Sequence, residues 1–215
     1  MKKWKPWKGT IKLCILSTAL LTVIIWTIWG NTALMVNTVT VTAGRIPAAF
    51  SGFRIAQVSD LHNAEFGENN VRLLELLSES RPDIIVITGD LVDSGHTDID
   101  IAISFVEEAA RIAPVYYVTG SHEARLSQYD RLRNGLEAAG VSMLEDRAVE
   151  LERDGEKITL VGLSDPDFTV RGDIFGEVPA MVSTKLESLA DTESSYTILL
   201  SHRPELFESY AGSGI

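Results

Sequence analysis

The sequence predicts an α/β protein in which two β-sheets are flanked by helices and preceded by one membrane-crossing segment. Three observations lead there. A run of 17 residues, Leu13 to Trp29, carries no charge. Short Val/Ile-rich runs then alternate with amphipathic stretches, the pattern of βαβ units in a largely parallel sheet. Beyond residue 140 shorter apolar runs are separated by turn residues such as Asp154-Gly155, which predicts antiparallel pairing.

The elements follow in chain order. Residues 1–12 hold Lys2, Lys3, Lys5, Lys8 and Lys12 and no acid, a basic tail expected to remain cytoplasmic. Residues 13–36 form the expected transmembrane signal anchor: helical rise of ~1.5 Å per residue makes the uncharged run just adequate for a bilayer core, and Asn31 to Val36 lengthen it. Trp4, Trp7, Trp26 and Trp29 flank it, where indole rings favour the headgroup region. A cleaved signal peptide shares this layout, although the small-x-small tripeptide Val41-Thr42-Ala43 stands well beyond Trp29. Residues 37–52 read as a linker or juxtamembrane strand, and the domain proper occupies 53–215. In it, strands over Phe53–Val58, Ile84–Thr88 and Val115–Val118 alternate with helices around Val71–Leu77, Ile99–Ile112 and Leu126–Ala139. Strand candidates Val141–Leu144, Ala148–Leu151 and Lys157–Leu163 come next. A helix over Ala180–Ala190, a strand over Tyr196–Leu200 and a helix from Pro204 complete the pattern.

Charge narrows the function classes. The chain holds 30 acidic against 19 basic residues, a formal charge of −11, and five of the basic ones sit in the tail. Such a domain repels nucleic acid, and an anionic substrate needs a local positive focus, which bound metal ions supply. Cys14 lies inside the apolar run, so the exported part is expected to hold together without a disulfide.

Candidate chemistry gathers where strands end. Ser59-Asp60-Leu61-His62 closes the first strand, Thr88-Gly89-Asp90-Leu91-Val92-Asp93 the second and Thr119-Gly120-Ser121-His122-Glu123 the third. Carboxyl ends of parallel strands line one sheet edge, so these clusters converge. On an extended strand end Asp60 and His62 point to one side and Leu61 to the other. A carboxylate and an imidazole so placed share a divalent cation, and Asp90, after a glycine that permits a tight turn, is free to bridge to a second. His202, in Leu200-Ser201-His202-Arg203-Pro204, again follows an apolar strand. A lone strand-end Asp is more often a cap or a turn former. Asp93 reads better as a support than as a direct ligand, and His96 as a solvated histidine. Four clusters at strand ends exceed what caps explain.

The order Asp-x-His, Gly-Asp-x-x-Asp, Gly-Ser-His-Glu and strand-end His, with Phe53-Arg54-Ile55, Pro82-Asp83-Ile84-Ile85 and Ser201-His202-Arg203-Pro204-Glu205 around it, resembles the calcineurin-like metallophosphoesterases, in their bacterial membrane-associated branch. The resemblance runs from about Pro47 to the end. It implies a β-sandwich flanked by helices and two divalent metal ions, with Mn, Fe or Zn suiting mixed carboxylate and imidazole ligands. Asp60 and His62 would hold the first, Asp90 would bridge and His202 would hold the second. His122 would act as general acid or as a hydrogen-bond donor to the phosphate, with Asp93 and Glu123 in support. The chain departs from the family twice. Ser121 replaces an Asn ligand, and the expected Gly-His-x-His does not occur before Ile215, so the fold is expected to be truncated, with its C-terminal part missing.

The resulting expectation is a single-pass membrane phosphoesterase with its catalytic domain outside the cytoplasm, acting on phosphomonoesters or phosphodiesters, lipid-linked or cell-envelope intermediates among them. The family's membrane-associated members include UDP-2,3-diacylglucosamine hydrolases, although the topology faces away from cytoplasmic nucleotide sugars. The alternative is a degenerate or truncated non-catalytic copy serving as a binding module or without function. A haloacid-dehalogenase-like phosphatase would place Asp rather than His at position 62.

Overall fold

The computed structural model describes residues 7–170, 172, 176–189 and 196–213. Lys2, Lys3, Trp4 and Lys5 of the basic tail lie outside them, as do Ala190 and Ile215 at the expected element ends. The chain divides into two compact units, Met1–Thr38 and Val39–Ile215.

In the first unit α1 spans Trp7–Thr32, and its stretch Gly9–Thr27 is long and apolar enough to cross a membrane by length and composition. The expected transmembrane helix over 13–36 is corrected accordingly. The helix stops at Thr32, and a signal sequence meets the same criteria, so the feature is one candidate span and no more.

In the second unit the chain runs without regular structure from Val39 to Ala43 and reaches a 3-10 turn at Ala48–Phe50, so no strand forms over 37–42. A parallel sheet follows in the order β1 (Ile55–Val58), β2 (Ile84–Thr88), β3 (Val115–Val118), β4 (Ser142–Met143). Its crossovers carry α2 (Val71–Ser80), α3 (Ile99–Ile112), and α4 (Ser121–Arg125) with α5 (Tyr129–Ala138). A second sheet holds β5 (Arg147–Arg153), β6 (Glu156–Gly162) and β7 (Thr197–Leu200), with α6 (Val178–Leu189) before β7 and α7 (Phe207–Ala211) after it.

Side-chain alternation assembles these parts. Every residue of β2 is buried because both faces are covered. Ile85 and Ile87 pack with Phe105, Leu132 and Leu136 of the helices, while Ile84 and Val86 meet Ile158 and Leu160 of the second sheet. From β6 onward Val161 and Leu163 face the other way, onto Val182 and Leu186 of α6. The two sheets therefore stack face to face between outer helices. Asp98 starts α3 by accepting from the Asp100 and Ile101 amides through its carboxylate.

Two expectations need correction. The run Val141–Leu144 pairs parallel with β3, since helical crossover α4–α5 returns it in the same direction; among the described residues only β5 and β6 form an antiparallel hairpin. At that hairpin Asp154 and Gly155 have φ of 51° and 80°, the positive values a two-residue type I′ turn requires. The expectation of a fold lacking its C-terminal part is also overturned. Strand β7 is hydrogen-bonded parallel to β6, α7 is formed, and Tyr210 of α7 packs against the cluster beneath α6.

Candidate metal centre

The carboxyl ends of β1, β2, β3 and β7 bring their polar clusters together. The loop after β1 is bonded main chain to main chain onto the loop after β2, with the N–H groups of Asp60, His62 and Asn63 donating to the carbonyls of Gly89, Asp90 and Leu91 at 3.1, 2.9 and 3.1 Å. These bonds hold Asp60, His62, Asn63 and Asp90 at φ of 55°, 48°, 57° and 49°. Non-glycine residues in this left-handed region cost free energy and persist where their surroundings over-determine them. The extended geometry expected for Asp60 and His62 is thus replaced by two left-handed turns, and Leu61 between them is still buried, at 6 % exposure.

Loops two and three meet at two glycines. A Cβ on Gly120 would lie 2.3 Å from the Asp90 Oδ1, and one on Gly89 would lie 2.6 Å from the Gly120 backbone. Beneath this contact the fully buried Glu123 accepts three backbone N–H bonds. Its Oε2 takes those of Asp90 (2.8 Å) and Gly120 (2.7 Å), and its Oε1 that of Val92 (3.2 Å). Burial raises the Glu123 pKa, and the three donors oppose that rise.

Asp90 is the hub of the site. Its Oδ2 lies 3.3 Å from His202 Nε2, 3.7 Å from His62 Nε2 and 3.4 Å from the Ser121 hydroxyl, while its Oδ1 accepts the His122 N–H at 2.8 Å. His62 Nε2 is also 3.8 Å from Asp60 Oδ1. His202 Nδ1 donates to the Thr88 carbonyl at 2.9 Å, which points Nε2 at Asp90. Burial would raise the Asp90 pKa, but the His202 hydrogen bond, the His122 amide and both imidazoles outweigh it and bring it down to about 2. The same contact with Asp90, against burial, raises His202 to about 9.

Among the described residues, two groups of side chains offer donor atoms within 4.8 Å of one another: Asp60, Asp90 and His202, and His62, Asp93 and His122. The first suits a divalent cation. It combines two carboxylates with an imidazole whose other nitrogen is already committed, and separations of 3.7 to 3.8 Å from His62 Nε2 to Asp60 and Asp90 are too long for hydrogen bonds yet short enough for donors sharing one ion at ~2.1 Å. His62 joins the two groups, because its buried Nδ1 finds no hydrogen-bond partner and faces Asp93 Oδ2 at 4.0 Å. In the second group the Ser94 N–H donates to His122 Nδ1 at 2.9 Å. A neutral His122 therefore carries its proton on Nε2. Asp93 Oδ1 accepts from the Gly95 and His96 amides, which holds its pKa below the ordinary value, and its Oδ2 stands 3.7 Å from His122 Nδ1.

All eight sequence-predicted residues thus fall in one neighbourhood. Ser121 reaches Asp90 through its hydroxyl, and His96 is solvated, its side chain 97 % exposed. Sequence reasoning missed three residues. Asn63 accepts the Asp93 N–H at 2.9 Å and donates to the Asp98 carbonyl at 2.5 Å, tying the first two loops. Asp165 and Arg203 form a two-pronged ion pair beside His202. Asn63 follows the Asp-x-His motif directly, which was an available signal; Asp165 carried none. A cleft of about 410 Å³, lined in part by Ser59, Asp60, Thr88, His202 and Arg203, opens on the site.

The profile of the family Calcineurin-like phosphoesterase matches residues 53–214. An uncharacterised metallophosphoesterase of Bacillus subtilis is 26% identical over 176 residues, covering 80% of this chain and 60% of that protein. One of Aquifex aeolicus is 27% identical over 176 residues, covering 80% and 63%. A transmembrane protein with a metallophosphoesterase domain from Danio rerio is 25% identical over 126 residues, covering 56% and 29%. The chain spans less than two thirds of the length of each of these relatives.

Proposed function

We propose, on the premise that the chain belongs to the calcineurin-like phosphoesterase family, that it hydrolyses phosphomonoesters or phosphodiesters with the help of two divalent cations. The observation that carries this reading is the convergence of His62, His202 and Ser121 on one buried Asp90 carboxylate, with Asp60 offering a donor atom within 4.8 Å of those of Asp90 and His202. Asp60, His62, Asp90 and His202 would hold the cations, with Mn, Fe or Zn suited to that donor set. Ser121 contributes a hydroxyl at the same oxygen of Asp90. Bound there, divalent cations supply Lewis-acid stabilisation of charge on the phosphoryl oxygens.

The chain's own residues do the rest. Ser94 fixes His122 with its proton on Nε2, so that side chain donates to a phosphoryl or leaving-group oxygen. Asp93 and Glu123 support the loops that carry His122 and Asp90. The apolar stretch Gly9–Thr27, read as an anchor with lysines on its cytoplasmic side, supports the reading of a domain outside the cytoplasm that acts on lipid-linked or cell-envelope phosphate esters.

The test is hydrolysis of a generic aryl phosphate by the purified chain with added Mn. Asp90→Asn should reduce turnover to the uncatalysed background and abolish Mn retention. Equal turnover in the variant and the wild type would refute the site.

A further inference from the structure

The histidine delivered by the second sheet is held unlike any other candidate ligand. Asp60, His62 and Asp90 sit on loops bonded to each other through main chain, whereas His202 follows β7, whose only strand partner among the described residues is β6. Next to it Arg203, which lines the same cleft, is bound to carboxylates. Its Nε and Nη2 donate to the two carboxylate oxygens of Asp165 at 2.6 and 2.9 Å; Nη2 also lies 3.2 Å from Asp167 and Nη1 3.4 Å from Glu205. Three of its nitrogens thus face carboxylates. The Asp165 side chain is fully buried, and its backbone N–H donates to the hydroxyl of the fully buried Thr119 at 3.0 Å. Thr119 precedes Gly120, which rests on Asp90. The other side of Arg203 is tied as well, its carbonyl accepting from the Tyr210 hydroxyl at 2.7 Å, and that hydroxyl pairing with Ser201 at 2.8 Å.

We infer that Asp165 and Arg203 are positioning residues for the metal centre: a fork on a buried carboxylate that locks the loop after β7 to the loop after β6 and, through Thr119, to the loop after β3, and so sets His202 Nε2 against Asp90. The planar guanidinium matches a carboxylate at two points and fixes orientation, which a lysine cannot reproduce. The pair joins the loops beyond β6 and β7 within the second sheet, and the Asp165 N–H bond to Thr119 carries the connection into the first. The inference rests on the metal reading above, and outer partners of a metal-ligating histidine are worth about 10 to 100-fold in affinity.

The experiment uses the full chain in mild detergent, as wild type, Arg203→Lys and the double variant Asp165→Leu/Arg203→Met. The double variant leaves no buried charge unpaired, so its fold is expected to survive. Mn alone is titrated and free Mn followed by electron paramagnetic resonance, with thermal melting as the control. Both variants should bind Mn at least about 10-fold more weakly, and the double variant should melt within a few degrees of the wild type. In metal-free protein the His202 ring N–H held by Thr88 should give a protected resonance in the wild type that broadens in both variants. A folded double variant with Mn affinity within about twofold of the wild type and an unchanged ring N–H would overturn the inference. Failure of the wild type to bind Mn would instead sink the metal reading, and the ring N–H comparison would still decide the positioning role.

Discussion

The two sheets deliver their functional groups by different means. The first supplies Asp60, His62, Asp90, Ser121 and His122 on three neighbouring loops, the first two bonded main chain to main chain and the third tied in by the carboxylates of Asp90 and Glu123. The second supplies His202 alone, steered by one main-chain carbonyl of β2 at its Nδ1 and by the Asp165–Arg203 fork beside it. A loop set fixed by main chain is precise but carries strain, here as four left-handed non-glycine residues. His202 rests instead on one main-chain carbonyl and on the side chains that hold its neighbour Arg203. The contrast teaches that the centre joins a half-site held loop to loop with a single histidine positioned from the second sheet.

The largest expected effect tests the half-site held loop to loop. Glu123→Gln replaces an acceptor of three N–H groups by an amide that also donates, leaving at least one buried donor unpaired. Unfolding of the metal-free chain in urea should show a loss of roughly 2–4 kcal/mol. A loss below ~0.5 kcal/mol would mean that the first-sheet loops hold themselves and the contrast fails.

A smaller effect comes from the contact where the halves meet. His202, raised above its ordinary value to about 9, stabilises the metal-free fold fully below its unfolded value of about 6.5, and this contribution is lost as pH rises toward 9. Asp90, lowered to about 2, acts with opposite sign: its contribution is present above its ordinary value and disappears as pH falls through about 2. Both shifts report one contact, worth on the order of 2–3 kcal/mol when counted once. Denaturation midpoints of the metal-free chain should therefore decline between about pH 6.5 and 9, and His202→Gln should flatten that decline. A wild-type profile level across this window would show that the ion pair contributes nothing to holding the halves together.

The smallest effect sharpens the comparison within the first sheet. Ser121 offers Asp90 a hydroxyl at 3.4 Å, a weak donor on an otherwise well-equipped loop. Ser121→Asn should tighten Mn binding by about 10-fold with little change in stability. Superimposable Mn titrations for the two forms would mean that the hydroxyl already serves as well as an amide.

The legibility of these features in the sequence follows the range of the interactions behind them. Strands β1, β2, β3 and β7 were readable because each is a short apolar run ended by polar residues, and the shared direction of β1, β2 and β3 then forced Asp60, Asp90 and His122 to one edge, which His202 meets from the second sheet. The direction of β4 was not readable. Two paired residues carry no directional pattern, and the crossover helices before them decide it. Nor were the left-handed turns at Asp60 and His62, imposed by bonds to residues some thirty positions away. Asp165 and Arg203 meet across 38 positions on different strand ends, each unremarkable in its own segment. The N-terminal run announced an apolar helix, but composition alone does not separate an anchor from a signal sequence.

Gly89 and Gly120 touch so closely that a methyl group on either has no room, and Gly89 also sits at φ of 87°. For sequence drift this is a double lock. Any missense change at either codon adds at least one carbon to a place already filled by the other's backbone or by the Asp90 carboxylate. A compensating change at the partner cannot make space, since glycine has no side chain left to remove. The two positions are therefore closed to neutral exploration even while the loops around them vary, and a lineage that loses either glycine regains the centre only by reversion.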